Sequence, residues 1–138
     1  MITAANNPGI IDFQDAVRGP VTYDLVSLLR DCYIAWPQEQ VDRWAEQYRQ
    51  RLVDAGVTRI DAQGFRHGFD LMGLQRHLKV LGIFCRLWYR DGKSGYLRDL
   101  PLVWKYTRSV GRRYPETAPL IALLEQAIGD RDITLPLA

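Results

Sequence analysis

With 138 residues, the chain fits a single domain able to bury a workable core. It is 47% hydrophobic and 25% charged, as globular proteins are, and its net charge of +2 is too small to imply nucleic acid or an anionic membrane as partner. No apolar run approaches the roughly twenty residues of a membrane span, and the N-terminus lacks the basic-then-apolar layout of a signal peptide.

In chain order, two short extended pieces come first. Residues 1–3 and 9–13 flank the turn signal Asn6-Asn7-Pro8-Gly9, which predicts a β-hairpin. Asp12 stands at the exit of the second strand with Phe13 behind it, and Gly19-Pro20 then breaks the chain. A carboxylate at a strand end suits a Mg²⁺ site, which needs hard oxygen ligands; from spacing alone a surface turn with two unrelated aspartates, Asp12 and Asp15, is the favoured reading.

The remainder reads as helical. The first helix is predicted over residues 22–36, with Thr22 as N-cap and a stripe of Leu25, Leu28, Leu29 and Cys32. Arg30 and Asp31 read as part of its solvated face. Pro37 ends this helix and opens the next, over residues 37–55, where Val41, Trp44, Ala45, Tyr48 and Leu52 recur at intervals of three and four. Gly56 closes it.

After a loop over residues 57–60, Asp61 reads as the N-cap of a long helix that Asp91-Gly92 ends. Its stripe is Leu71, Leu74, Leu78, Leu81, Cys85 and Trp88. Phe65, Phe69, Met72, Val80, Ile83 and Phe84 widen the apolar surface, which makes this helix the centre of the core. A further helix is predicted over residues 96–114, its start open between Tyr96 and Leu100 because of Pro101. Pro115 is expected to begin the last one, with Leu120, Leu123, Leu124, Ala127 and Ile128 inward, before an irregular tail from Asp130. Cys32 and Cys85 both fall in apolar patterns, which favours core thiols over a disulfide and a reducing cytoplasm as compartment.

The order Ile11-Asp12-Phe13-Gln14-Asp15-Ala16, followed by Gly19-Pro20 and Tyr23-Asp24-Leu25, resembles the metal-binding segment of the aminoglycoside phosphotransferase-like kinases. The run from Tyr23 to Asp31, the segment Gln75-Arg76-His77-Leu78-Lys79-Val80-Leu81-Gly82 and the stretch Tyr89-Arg90-Asp91-Gly92-Lys93 are similar to a narrower group. Its members are bacterial kinases acting on the anomeric hydroxyl of N-acetylmuramate and N-acetylglucosamine. The resemblance covers the chain from end to end.

It implies a mainly α fold, the helical C-lobe of a protein-kinase-like fold with a short N-terminal β-hairpin. For the intact enzyme it implies ATP and Mg²⁺, an amino-sugar substrate and a cytoplasmic place in cell-wall recycling. The family's catalytic loop is expected just upstream of Met1, and its Gly-rich nucleotide loop and phosphate-pairing lysine further upstream; no Gly-x-Gly-x-x-Gly occurs here. Residues 1–138 are therefore expected to form a single partial domain. Alone, that domain would bind neither cofactor and would be inactive, and surface uncovered by the missing part would favour a homo-oligomer. A kinase for aminoglycosides or another small molecule is the nearest alternative, and a non-catalytic helical binding module is a more distant one.

The resemblance assigns metal ligation to Asp12 and a structural role to Asp24, whose carboxylate would accept hydrogen bonds from the catalytic-loop backbone. Asp15 could approach metal or sugar, or cap the turn. Arg76 and His77 sit in the middle of the long apolar helix. A guanidinium there must reach a carboxylate, a ligand or water, whereas a histidine is commonly a hydrogen-bonded core residue. Arg90 either binds substrate or pairs with Asp91. His67 and His77, ten positions apart, fall on different helix faces and do not suggest a metal pair.

Overall fold

The structure, a computed structural model, describes residues 4–5 and 18–136. The expected hairpin, with Asp12 and Asp15, lies outside the described residues. The rest is mainly α: five helices and one 3-10 segment, arranged around the long third helix.

Helix α1 (Tyr23–Leu29) starts as the Tyr23 amide bonds to the Pro20 carbonyl at 3.1 Å. It stops seven residues short of the expected end at residue 36. The Arg30 amide still bonds back to Val26, but its φ of −127° and ψ of 53° leave the helix, and its carbonyl accepts from His77 at 3.0 Å. The Asp31 carboxylate takes the Cys32 amide at 2.8 Å, an alternative to the helical ladder that short acidic side chains offer. The buried stripe is Leu25, Val26 and Leu29, while Leu28 is 70% exposed. Thr22 holds the N-cap position without making a capping bond, and its hydroxyl lies 3.5 Å from the Gly68 carbonyl instead.

Helix α2 (Gln38–Asp54) follows Pro37 and buries Val41 and Ala45, with Trp44, Tyr48 and Leu52 half-buried beside them. Gly56, at φ +68°, turns the chain out of it in the left-handed conformation that glycine adopts without strain.

Helix α3 (Ala62–Asp91) runs for 30 residues, about 45 Å at 1.5 Å per residue. Its N-cap is the one expected: the Asp61 carboxylate accepts the Gly64 amide at 2.7 Å. It ends at Gly92, at φ +67°, where the Gly92 and Lys93 amides return to the Trp88 and Leu87 carbonyls. The buried face is Phe65, Phe69, Asp70, Gly73, Leu74, His77 and Phe84; of the expected stripe only Leu74 is fully buried, and Leu71, Leu78, Leu81, Cys85 and Trp88 are half-buried. The helix is central because all three hydrophobic clusters use it. Phe65 and Phe69 meet α1 and α2, Leu74 meets the last two helices, and Phe84 meets the 3-10 segment (Ser94–Asp99).

Helix α4 (Leu100–Gly111) takes the later of the two starts, with Pro101 in its first turn where no amide bond is lost. Helix α5 (Ala118–Ile128) begins after Thr117, not at Pro115. Residues 113–117 instead form a turn in which the Thr117 hydroxyl donates to the Gly111 carbonyl at 2.8 Å. Its one buried side chain is Ile121, and Leu120 and Leu123 are exposed, so the expected inward face is rotated. Cys32 and Cys85 are free and half-buried against the Phe84 cluster. Among the described residues no helix is long and apolar enough to cross a membrane.

Candidate functional site

Asp24 occupies the first turn of α1, exposed and without a hydrogen-bond partner among the described residues. Next to it, the Tyr23 ring lies under the Arg76 guanidinium, 5.9 Å from the carbon to the ring centroid. Arg76 is half-buried and meets no carboxylate among the described residues. One end of α1 and the middle of α3 thus place Tyr23, Asp24 and Arg76 in one neighbourhood.

His77, the next residue on α3, points inward. It is 1% exposed, its Nε2 donates to the Arg30 carbonyl at 3.0 Å, and its ring stacks on Tyr106 with centroids 4.9 Å apart. Burial lowers its pKa to about 4, so the ring is neutral near pH 7. Its Nδ1 and the Tyr106 hydroxyl are buried without partners among the described residues. Arg90 stands fourteen positions beyond Arg76, about 21 Å further along the helix axis. It is exposed and forked onto Asp91 at 2.7 and 2.9 Å. The structure therefore does not gather Arg76, His77 and Arg90 around one point.

What it does gather lies nearly two turns nearer the start of α3. Asp70, with no exposed surface, accepts from Arg30 at 2.6 Å, from the Tyr114 hydroxyl at 2.7 Å and from Arg113, and Arg66 Nε stands 3.4 Å away. Arg66 also reaches Asp42 of α2 at 2.7 Å. Arg30, read from sequence as solvated, is 1% exposed, because α1 ends there and turns its side chain onto α3. Its guanidinium lies over the Phe69 ring at 4.5 Å and beside Gly73, where an added Cβ would come within 3.2 Å of it. Burial would raise the Asp70 pKa; the Arg30 charge and the bonds from Tyr114, Arg30 and Arg113 outweigh it, and the net shift is downward. This network ties α1, α2, α3 and the α4–α5 turn together. The available sequence signal was an aspartate inside the apolar run Phe69-Asp70-Leu71, which demands buried partners.

Among the described residues no group of three or more His, Cys, Asp or Glu could hold a metal. His67 pairs with Glu116 at 2.9 Å, far from His77 in both position and role.

Comparison with known proteins adds the context that this geometry lacks. Residues 1–62 match the model of the phosphotransferase enzyme family. A protein of Neisseria meningitidis named N-acetylmuramate/N-acetylglucosamine kinase is 47% identical over 134 residues, covering 96% of this chain. Over residues 1–62 the chain is similar to the phosphotransferase enzyme family. Two further proteins with the same name are similar to it: one from Pseudomonas putida, 45% identical over 91% of the chain, and one from Pseudomonas aeruginosa, 44% identical over 86%. The chain spans only 40%, 38% and 35% of the lengths of these three relatives. No solved structure matches it.

Proposed function

We propose that this chain is the helical part of an amino-sugar kinase that moves the terminal phosphate of ATP to the anomeric hydroxyl of N-acetylmuramate or N-acetylglucosamine. Such a step would return cell-wall sugars to use. The observation that carries this reading is the 44–47% identity, over most of the chain, to proteins bearing that name. The motif around Asp12, within the segment that matches the family model, supports it.

In this reading Asp12 holds Mg²⁺ in the whole enzyme, where the cation would neutralise charge on the transferring phosphate. Asp15 and Arg76 serve the substrate side. Asp24, exposed and without a partner among the described residues, is free to accept amides from a catalytic loop. His77 supports the site indirectly, through the Arg30 carbonyl at the end of the Asp24 helix, and Arg90 reaches substrate only by leaving Asp91.

The test is a turnover assay on the whole-length protein with ATP, Mg²⁺ and either amino sugar, with phosphate on the anomeric oxygen read by ³¹P NMR. Transfer to an aminoglycoside and to neither sugar would overturn the substrate assignment. The 138-residue chain alone is expected to form no sugar phosphate above a no-protein control. In the whole-length protein Asp12→Ala should abolish turnover with little change in melting temperature. Asp24→Ala should lower the melting temperature as well, by about 1–3 kcal/mol of lost stability for amides left without an acceptor. Appreciable turnover in Asp12→Ala would remove the metal assignment.

A further inference from the structure

Between the outer face of α4 and the turn that follows α5 lies a groove of about 540 Å³. Small-molecule clefts run from roughly 300 to 1,000 Å³. Four cations line it, Lys105, Arg108, Arg112 and Arg131, with Asp132 as the one lining carboxylate and Trp104 as an aromatic wall. Lys105, Arg108 and Arg112 recur at spacings of three and four on α4, so their stems rise from one side of the helix. That side is opposite the one α4 buries through Leu100, Val103, Thr107 and Val110. Neither Asp24, Arg76, His77 nor Arg90 lines the groove.

The cations are held in place without being used up. Arg108 Nε and one terminal nitrogen of Arg112 both bond Glu125 Oε1, at 2.7 and 2.6 Å. Arg131 donates to the Ile128 and Ala127 carbonyls at the end of α5. The other N–H groups of Arg108 and Arg112, and the whole Lys105 ammonium, have no partner among the described residues. A guanidinium already fixed by one carboxylate loses less freedom when its remaining donors take a second oxyanion. Counting Glu125 with the lining groups still leaves four cations against two carboxylates. An incoming anion is therefore attracted. Phosphate suits these donors better than a lone carboxylate, because it offers oxygens to several of them at once.

We propose that this groove binds a small phosphate ester, its phosphate on Lys105, Arg108 and Arg112 and its ring against Trp104. The proposal stands independently of the kinase reading, since it uses none of the residues assigned there.

Phenyl phosphate is the probe, titrated calorimetrically into the 138-residue chain at low ionic strength beside inorganic phosphate. Saturable one-to-one binding is expected, tighter for phenyl phosphate and weakened by added salt. The double variant Lys105→Gln/Arg112→Gln should bind at least about tenfold more weakly, the scale of one lost charge-assisted hydrogen bond. The variant Arg59→Gln/Arg98→Gln removes the same charge from exposed sites outside the groove. With the titration repeated at about 0.1 M salt, where charges more than about 10 Å away are screened, this variant should stay within about twofold of the wild type. No saturable binding to the wild type would overturn the proposal, as would equal weakening in both double variants. Equal affinity for phenyl phosphate and inorganic phosphate would overturn the role of Trp104.

Discussion

Asp70 takes bonds from Arg30, Arg113 and Tyr114 with no exposed surface of its own, so removing it strands the fully buried Arg30 charge. Asp70→Ala should cost about 3–5 kcal/mol, the usual result of breaking a buried pair from one side, and denaturant unfolding would measure it. A loss below about 1 kcal/mol would mean that water replaces the carboxylate freely. His77 sets the pH dependence. Its pKa is lowered to about 4 in the folded chain against an ordinary 6.5, so between those values the unfolded state holds a proton that the folded state refuses. Stability is therefore full above pH 6.5 and falls as pH drops towards 4, by about 3 kcal/mol at 1.4 kcal/mol per unit. The Asp70 contribution has its own window, present above the ordinary carboxylate pKa and lost only at more acidic pH. His77→Gln, which keeps a donor for the Arg30 carbonyl, should flatten the curve between pH 6.5 and 4 and leave the more acidic limb in place. At this scale the sequence was half legible. The rule that a charge inside an apolar run needs a partner was sound, but it applied to Asp70 and Arg30, whereas Arg76 lies on an aromatic ring at the half-exposed edge.

Helix α4 closes on α5 at Gly111, where an added Cβ would stand 2.3 Å from Ile121 Cγ1 and 2.5 Å from its Cδ1. Ile121 is branched and wholly buried, so it cannot swing away. Gly111→Ala should therefore destabilise by about 1–3 kcal/mol despite alanine's better helix propensity. Gly82, in the exposed part of α3 with nothing within 4 Å of its Cβ position, should show the opposite: Gly82→Ala is expected to gain roughly 0.5–1 kcal/mol. Thermal melts of the two variants would decide, and a stabilised Gly111→Ala would mean that the two helices separate easily. Helix ends marked by local chemistry could be read from sequence: Asp61, Gly56 and Gly92 each do what their residue type favours. The end of α1 could not, because it depends on His77, 47 positions away, claiming the Arg30 carbonyl. The rotated face of α5 has a similar cause, since the close approach at Gly111 selects Ile121 over Leu120 and Leu123.

For the molecule as a whole, the surface around α1 stands out. Leu28, Tyr33, Ile34 and Trp36 are between 42% and 70% exposed, and beside them runs a groove of about 340 Å³ lined by Leu25, Leu28, Trp36 and Trp44. Contiguous apolar patches above a few hundred Å² are uncommon on monomers. Light scattering on this chain should therefore show a dimer or larger species whose mass rises with concentration, and Leu28→Asp should shift it towards monomer. A constant monomer mass across a wide concentration range would rule this out. The family resemblance was legible because its motif is a run of adjacent residues, Ile11 to Ala16 with Tyr23 to Leu25, which sequence order preserves. The Asp70 network and the basic groove join residues from separate helices, and only folding brings those together.

All three hydrophobic clusters are strung along α3, whereas α5 contributes one fully buried side chain. Amide protons between Phe69 and Phe84 can reach solvent only if partners at both ends of that helix let go. They should exchange with deuterium at a single slow rate set by complete unfolding. Those of α5 need only Ile121 to lift from its seat, and they should exchange far sooner. A mass-resolved exchange series would then display the long helix as the last part of the chain to lose its protons, a clock against which every other element can be timed.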